Sequence, residues 1–154
     1  MPIIDSRLKE LGIALSKPPK PVASYVPYTI SGNQVFVSGQ VPSSGGALKY
    51  VGKLGADFSV EVGQAAAQLC AINILSVLKL ACEGDLDRVV RCLKVNVFVN
   101  AVPDYDKQPE VANGASDLFA AVFGDAGKHA RAAVGMGSLP RGVAVEVDAI
   151  FEIK

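Results

Sequence analysis

Residues 59–99 read SVEVGQAAAQLCAINILSVLKLACEGDLDRVVRCLKVNVFV, and this stretch decides the fold. Ser59 can cap a helix over residues 60–81, with Glu61 favourably placed in its first turn and Gly84 just past its end. The apolar residues at 93, 95, 97 and 99 then alternate with Lys94, Asn96 and Phe98, which is the period of a β-strand. A long helix leading into a strand predicts a domain in which helices cover a sheet.

A second helix and two more strands are predicted downstream. Pro109 suits the first turn of a helix that closes at Gly124, and its apolar face comprises Val111, Ala115, Leu118, Phe119 and Val122. Residues 130–138 and 143–151 are strand-like, and the turn LPRG at 139–142 predicts that they pair as a hairpin, with Val134 facing Val147 and Met136 facing Val145. In that register Arg131 and Glu146 share the less apolar face, roughly 13 Å apart at about 3.3 Å per residue.

The segments before residue 59 predict a hairpin and an N-terminal appendage. Residues 28–30 and 35–37 read as strands joined by a glycine turn, and residues 42–55 read as a loop with one short strand over 47–50. Residues 3–11 have helical spacing, and the run KPPKP at 17–21 stops any helix. We therefore predict a helix and proline-rich connection over residues 1–21, followed by one domain over residues 22–154.

The composition excludes several classes of protein. Half of the 154 residues are apolar and 19% are charged, which predicts a folded chain. Fifteen basic residues balance fifteen acidic ones, so we expect no nucleic-acid partner. The three cysteines are too few and too irregularly spaced for a disulfide framework. The N-terminus lacks the apolar run of a signal peptide, so we expect a cytoplasmic protein. Polar residues interrupt the apolar segment 60–81 throughout, so we expect a buried helix and no membrane span.

The predicted fold class is α+β, a mixed β-sheet with two helices packed on one face. Two helices on one side of a sheet leave the other side bare. A barrel-like closure or a partner subunit would cover that side, and we favour subunits.

Two charged residues stand out as candidates for chemistry. Arg131 lies among small residues, which leaves room for its guanidinium to grip a carboxylate through two parallel hydrogen bonds. An ion pair with Asp148 or Glu152 is the alternative. Glu146 lies in an otherwise apolar strand, where partial burial would raise its pKa and suit it to proton transfer; a solvent-facing residue is the alternative here. Because the two are far apart on one chain, a neighbouring subunit or a bulge must bring them to one ligand.

Other sites are weaker or excluded. His129 is the only histidine, which excludes a cage of several imidazoles around a metal, and we expect it at a loop edge. Ser38 and Gly39 end a strand where a hydroxyl and backbone amides could hold a ligand, although a plain strand exit has the same pattern. No glycine run is followed by Lys-Ser or Lys-Thr as in a phosphate loop, so no nucleotide cofactor is predicted.

The order of motifs along the chain resembles the Rid family, the reactive intermediate deaminases, also called YjgF-type proteins and often labelled L-PSP endoribonucleases. The resemblance runs from about residue 22 to the C-terminus. It is carried by Tyr25, VSGQVP at 37–42, NVFV at 96–99, Asn113, Ala130-Arg131, and LP at 139–140 followed by VEVDAI at 145–150.

The resemblance implies a chorismate-mutase-like fold that assembles as a homotrimer around a central barrel, with sites in the clefts between subunits. The implied substrate is a small carboxylate, bound by Arg131 with Tyr25, Ser38 and Asn113, while Gly39 and Ala133 offer backbone contacts. Glu146 would activate water. Better-known members carry a cysteine at the position of Ala133, so any contribution of a thiol is missing in this chain.

The implied reaction is hydrolysis of 2-aminoacrylate and similar enamines or imines to a 2-keto acid and ammonia, a hydrolase activity of the 2-iminobutanoate/2-iminopropanoate deaminase type. It needs no metal and no cofactor, because an imine carbon is already electrophilic. A non-catalytic trimer that binds keto acids or amino acids is the main alternative. Endoribonuclease activity, the family's older label, would need a basic track and aromatic stacking surfaces, which the composition does not favour.

Overall fold

The computed structural model describes residues 2–20 and 23–154 and shows an α+β fold. Within these residues the chain forms three α-helices, α1 (Ile3–Glu10), α2 (Val60–Ala81) and α3 (Gln108–Phe123). The strands are β1 (Tyr28–Ser31), β2 (Gln34–Gln40), β3 (Ser43–Ser44), β4 (Ala47–Leu48), β5 (Val89–Asn100), β6 (Ala130–Met136) and β7 (Val145–Ile153). Short 3₁₀ turns lie at Leu86–Arg88, Gly124–Gly127 and Pro140–Gly142.

The main sheet has five strands in the order β1-β2-β7-β5-β6. β6 runs parallel to β5, and the other neighbouring pairs are antiparallel. The predicted hairpin of β1 and β2 is confirmed, with Ser31 paired to Gln34 and Gly32 in the left-handed region at φ +60°. β3 and β4 form a separate two-stranded ribbon within the predicted loop.

The predicted C-terminal hairpin is wrong. β6 does not pair with β7, because β5 lies between them. Helix α3 connects β5 to β6, and a helical crossover of this kind returns the chain parallel to the strand it left. The turn at Pro140–Gly142 then carries the chain past β5, so that Val147 pairs with Val97 of β5 and Gln40 of β2. Alternating apolar residues specify which face of a strand is buried but not which strand is its neighbour.

Helices α2 and α3 pack together and cover one face of the sheet, as predicted. The Ser59 hydroxyl accepts a hydrogen bond from the Val62 amide at 3.3 Å, which caps α2. Every second residue of the central strands points into the core under these helices and is buried: Val35, Val37, Val95, Val97, Val99, Val145, Val147, Ala149 and Phe151. The opposite face carries Phe36, Lys94, Asn96, Phe98, Glu146, Asp148 and Ile150, and no helix of the described chain packs on it.

Helix α1 docks on the side of this core. The carboxylate of Asp87 accepts hydrogen bonds from the first amides of the helix, those of Ile3 and Ile4, at 2.9 Å each. Lys79 of α2 forms a salt bridge with Asp5 at 3.0 Å, and Leu8 is buried. The N-terminal helix is therefore held by capping, charge and burial together.

Helix α2 is long and apolar enough to cross a membrane by length and composition alone. In the folded chain, 56% of its most apolar window is buried against the sheet and α3. This burial is typical of the core helix of a globular domain, in agreement with the sequence-based expectation.

Gly114 of α3 sets how closely the two helices approach. A β-carbon at this position would lie 2.1 Å from the backbone carbonyl oxygen of Gln64 in α2, a contact that no side-chain rotation can relieve. We expect Gly114→Ala to lower the free energy of unfolding by about 1 to 3 kcal/mol, even though alanine is the better helix former. Urea unfolding followed by circular dichroism measures this change.

Gly137→Ala is the matched control for Gly114→Ala. Among the residues that the structure describes, no atom beyond the glycine and its chain neighbours lies within 4 Å of the β-carbon that this substitution adds. We expect it to stay within about 0.5 kcal/mol of the wild type. Equal unfolding midpoints for the two variants would show that the helices separate without cost.

Candidate functional site

Arg131 lies on β6, the edge strand, and faces helix α3. Its register partner on β5, Val95, points into the core, so Arg131 and Ala133 project toward the helices. The guanidinium Nη1 donates to Asn113 Oδ1 at 2.8 Å and to Ser116 Oγ at 3.2 Å. The crossover that makes β6 parallel to β5 is therefore also what places Arg131 against α3.

No ion pair neutralises Arg131 within the described part of the chain. The salt bridges found there join Lys79 to Asp5, Arg88 to Glu83 and Lys128 to Asp125. The alternative of an ion pair with Asp148 or Glu152 is therefore wrong for the single subunit. Among the described residues the Nε and Nη2 atoms have no hydrogen-bond acceptor, which leaves one edge of the guanidinium for a ligand.

Glu146 lies on β7 and projects from the face that no helix covers. Its neighbours along the chain, Val145 and Val147, are fully buried, whereas Glu146 is half-buried. Burial raises the pKa of the Glu146 carboxyl, and the negative charge of Asp148 raises it further. Asp148 in turn accepts a hydrogen bond of 2.7 Å from Asn96 Nδ2.

Gly39 makes room for the Glu146 carboxyl group. β2 carries a bulge between Val37 and Gln40, and a β-carbon at Gly39 would lie 3.1 Å from Glu146 Cδ and 3.2 Å from its Oε1. The neighbouring Ser38 hydroxyl donates to the Pro27 carbonyl at 3.0 Å. The bulge therefore brings Gly39 against the glutamate, as bulges near binding sites often do.

A cleft of about 840 Å³ opens beside Ser38 and Gly39. Tyr25, a residue that is 59% exposed, is among the residues that line it. One wall is the N-terminal segment 11–20, including Lys17 and Lys20, and the other comes from α2 and the β3–β4 ribbon. Three predicted binding residues, Tyr25, Ser38 and Gly39, thus line one cavity.

The predicted site residues fall into two groups, which we call the arginine cluster (Asn113, Ser116, His129 and Arg131) and the glutamate cluster (Tyr25, Ser38, Gly39 and Glu146). The expectation that Arg131 and Glu146 share a face is wrong, because Arg131 faces α3 and Glu146 projects from the opposite side. Two strand spacings, about 10 Å, also separate β6 from β7. One subunit does not bring the two clusters to one small ligand.

Two members of the arginine cluster, Ser116 and His129, were missed from the sequence. Ser116 follows Asn113 by one helical turn, and His129 precedes Arg131 by two residues, so each lies on the same face as its predicted partner. His129 is not a free loop-edge residue, because its Nε2 lies 2.9 Å from Ser116 Oγ and its Nδ1 lies 2.7 Å from the Gly127 carbonyl oxygen. The spacing from Asn113 and Arg131 was the signal that could have found both.

Among residues 2–20 and 23–154, no three histidine, cysteine, aspartate or glutamate side chains are arranged to hold a metal ion. The three cysteines are buried, and burial raises the pKa of Cys92 to about 12, so this thiol is not reactive.

Several known proteins are similar to this chain over nearly its whole length. Protein TCP17 of Trypanosoma cruzi is 50% identical over 153 residues, which cover 97% of this chain and 94% of TCP17. The RutC family protein PH0854 of Pyrococcus horikoshii is 30% identical over 132 residues, covering 86% and 89% of the two chains. The crystal structure of protein Atu1372 from Agrobacterium tumefaciens matches at 52% identity and a TM-score of 0.91, covering 99% of this chain and 94% of that one.

The sequence model of one family covers both clusters. It is described as "YjgF/chorismate_mutase-like, putative endoribonuclease" and matches residues 5–148. This extent and the relatives above agree with the resemblance in the motifs and with the mixed sheet under two helices. The chain therefore belongs to the YjgF/chorismate-mutase-like family.

Proposed function

We propose that this protein hydrolyses small imines and enamines that carry a carboxylate, such as 2-aminoacrylate, to 2-keto acids and ammonia. The observation that carries the proposal is the half-buried Arg131 guanidinium, which has no carboxylate within reach in the described subunit and keeps its Nε–Nη2 edge open. A partly desolvated guanidinium with an open edge suits a ligand carboxylate, which forms two parallel hydrogen bonds with it.

The site is proposed to lie between subunits of a homotrimer. Each subunit holds an arginine cluster beside one edge of its sheet and a glutamate cluster toward the other, and the two are too far apart to share a ligand. A head-to-tail contact that closes into a ring places the arginine cluster of one subunit against the glutamate cluster of the next. The same contact covers the face of the sheet that carries Phe36, Phe98 and Ile150.

The chemistry follows from the properties of each residue. Arg131 binds the substrate carboxylate, and an enamine substrate first tautomerises to the imine by taking a proton from water on its terminal carbon and losing one from nitrogen. Water then attacks the imine carbon, forming a C–O bond, while the C=N pair becomes a lone pair on nitrogen and Glu146 accepts a proton from the water. Glu146 returns that proton to nitrogen, which gives a carbinolamine. The hydroxyl proton of the carbinolamine then passes through Glu146 to nitrogen while the C=O bond forms and the C–N bond breaks, and ammonia and the keto acid leave.

The surroundings of Glu146 support this proton-carrying role. A carboxyl group whose pKa is raised by burial lies closer to neutrality, where it both accepts and returns a proton. Tyr25, Ser38 and Gly39 line the cleft beside the bulge of β2, where Gly39 also lies against Glu146, and these three residues would orient the substrate and the water. The route uses no thiol, so Ala133 in place of the family cysteine is compatible with it.

Steady-state hydrolysis gives the direct test of the proposal. An imine is generated in situ with an amino-acid oxidase, and keto-acid release is followed with and without the protein. We expect the wild type to accelerate release, Arg131→Ala to lose about 100-fold in kcat/KM, and Glu146→Gln to lose about 100-fold or more in kcat.

Arg141→Asn is the matched control for the loss of an arginine. Arg141 is exposed and adopts φ +60°, a conformation that asparagine tolerates, so full activity is expected. If the wild type bound pyruvate but did not accelerate the hydrolysis of any imine, we would conclude that the protein binds carboxylates without catalysis. Cleavage of single-stranded RNA that Arg131→Ala abolishes would favour the endoribonuclease instead.

Mixing two inactive variants tests whether the site is shared between subunits. If Arg131 and Glu146 act from neighbouring subunits, unfolding and refolding Arg131→Ala together with Glu146→Gln in equal amounts should restore activity at about one quarter of the sites. Each variant refolded alone is the control. Mass spectrometry would first show that the mixed oligomers contain both variants. If these oligomers did not recover activity, the whole site would lie in one subunit.

The raised pKa of Glu146 predicts a pH-dependent difference in stability. The folded protein keeps a proton on Glu146 at pH values at which the unfolded chain has lost it, so the stability contributed by this group is present at low pH and declines as the pH rises through the folded-state pKa. We expect Glu146→Gln to gain stability relative to the wild type as the pH rises from the ordinary pKa of a glutamate through the raised folded-state pKa of Glu146. Urea unfolding at a series of pH values measures the difference.

Glu10→Gln, which removes an exposed carboxylate of α1, controls for the change in charge of the unfolded chain. A stability difference between wild type and Glu146→Gln that stays constant with pH would contradict the raised pKa.

A further inference from the structure

A chain of hydrogen bonds runs from a backbone carbonyl to Arg131. The Gly127 carbonyl oxygen can only accept, so His129 Nδ1, 2.7 Å away, carries the proton. In the neutral ring Nε2 is then an acceptor, and the Ser116 hydroxyl donates to it at 2.9 Å. Ser116 Oγ in turn accepts from Arg131 Nη1 at 3.2 Å. The hydrogen bonds thus fix both the tautomer of the histidine and the direction of the serine hydroxyl.

The surroundings of His129 keep the ring neutral and in place. Phe119 packs its edge against the imidazole, with ring centroids 6.0 Å apart and planes at 86°. Burial lowers the pKa of His129; the hydrogen bond to Gly127 opposes this, and the positive charge of Arg131 lowers the pKa further.

The charged groups on the elements around the ring are few. Lys128 forms a surface salt bridge with Asp125 at 3.2 Å, and Arg91 of β5 donates to the Lys128 carbonyl at 3.4 Å. Asp117 of α3 is exposed. Arg131 is the charged group joined to His129 through hydrogen bonds. An anion that binds to Arg131 therefore changes the electrostatic potential at the imidazole ring.

We propose that Ser116 and His129 are positioning residues for the carboxylate site at Arg131, and that the proton on His129 is coupled to ligand binding through the Ser116 hydroxyl. This inference rests on the proposed function in that Arg131 binds a carboxylate. Asn113 and Ser116 hold Nη1 from the side of α3, which turns the Nε–Nη2 edge away from the helix and toward the ligand.

Protonation of His129 changes what Ser116 offers. A protonated imidazole donates from both nitrogens, so Nε2 donates to Ser116 Oγ. The serine oxygen has two lone pairs and accepts from His129 and Arg131 together, which releases its own hydrogen to donate to a bound carboxylate. The added positive charge acts in the same direction. Protonated protein therefore binds a carboxylate more tightly and, by linkage, a bound carboxylate makes His129 easier to protonate.

The chain has one histidine, so a single imidazole signal reports this coupling in ¹H–¹³C NMR. The probe is pyruvate. We expect the titration midpoint of His129 to rise by about 0.5 pH units or more when pyruvate is saturating. Reciprocity then requires the Kd for pyruvate to fall by about threefold as the pH drops through that midpoint.

Variants separate positioning from structural support. His129→Gln can hydrogen-bond to Ser116 but does not titrate, so pyruvate binding should match that of the neutral wild type and lose the pH dependence that follows the His129 midpoint. His129→Ala should bind pyruvate more weakly at every pH. Ser116→Ala should reduce the pyruvate-induced shift of His129. Ser31→Ala, in the hairpin at the far edge of the sheet, should leave the shift unchanged.

The outcomes distinguish this inference from the proposed function. Pyruvate binding that depends on Arg131 but leaves the His129 midpoint unmoved would overturn the coupling and leave the carboxylate site intact. If pyruvate shifted the His129 midpoint in Ser116→Ala as much as in the wild type, the Ser116 hydroxyl would not carry the coupling. Failure of the wild type to bind pyruvate at all would overturn both proposals.

Discussion

The parallel pairing of β6 with β5 is the constraint on which the rest of the structure depends. It requires a crossover, and helix α3 supplies it, lying over the face of the sheet that it has just left. The same connection turns Arg131 toward α3, where Asn113 and Ser116 hold it. Without this crossover β6 would be free to pair with β7, and Arg131 and Glu146 would share a face. One topological choice therefore creates both the core and the surroundings of Arg131.

The two clusters have opposite electrostatic requirements, and the fold keeps them apart. Arg131 lacks a carboxylate partner in the described subunit, whereas Glu146 is half-buried beside Asp148, which favours the protonated form of Glu146. Had one subunit placed these groups in contact, they would have formed an ion pair with no place for a substrate. Separation within the subunit keeps both groups available, and a shared site between subunits is the arrangement that we propose for their use.

In the arginine cluster, the direction of each hydrogen bond is fixed by the donors and acceptors available. A backbone carbonyl fixes the tautomer of His129, and that tautomer fixes the hydroxyl of Ser116. Each step follows from donor and acceptor counts. A histidine predicted at a loop edge is therefore part of the surroundings of the arginine, and the coupling that we propose would make ligand binding depend on its proton.

The sequence by itself determined the elements and the burial pattern. The Ser59 cap, the alternation around Val95 and Val97 and the apolar face of α3 are local, since they depend on periods of 3.6 and 2 residues and on capping chemistry. It also pointed to Arg131 and Glu146 as the unusual charges, because their residue types contrast with small or apolar neighbours.

Only the tertiary structure decided which strand lies beside which, and hence which side of the sheet each charge faces. Strand neighbours are chosen by connections and packing over long distances in sequence, and an alternating apolar strand fits beside β5, β2 or β6 equally well. The same holds for Ser116 and His129, whose contact spans 13 residues and joins a helix to the entry of a strand. Residue patterns indicate secondary structure and burial because these depend on neighbouring residues. A functional site consists of contacts between distant residues, and these contacts form only in the folded chain.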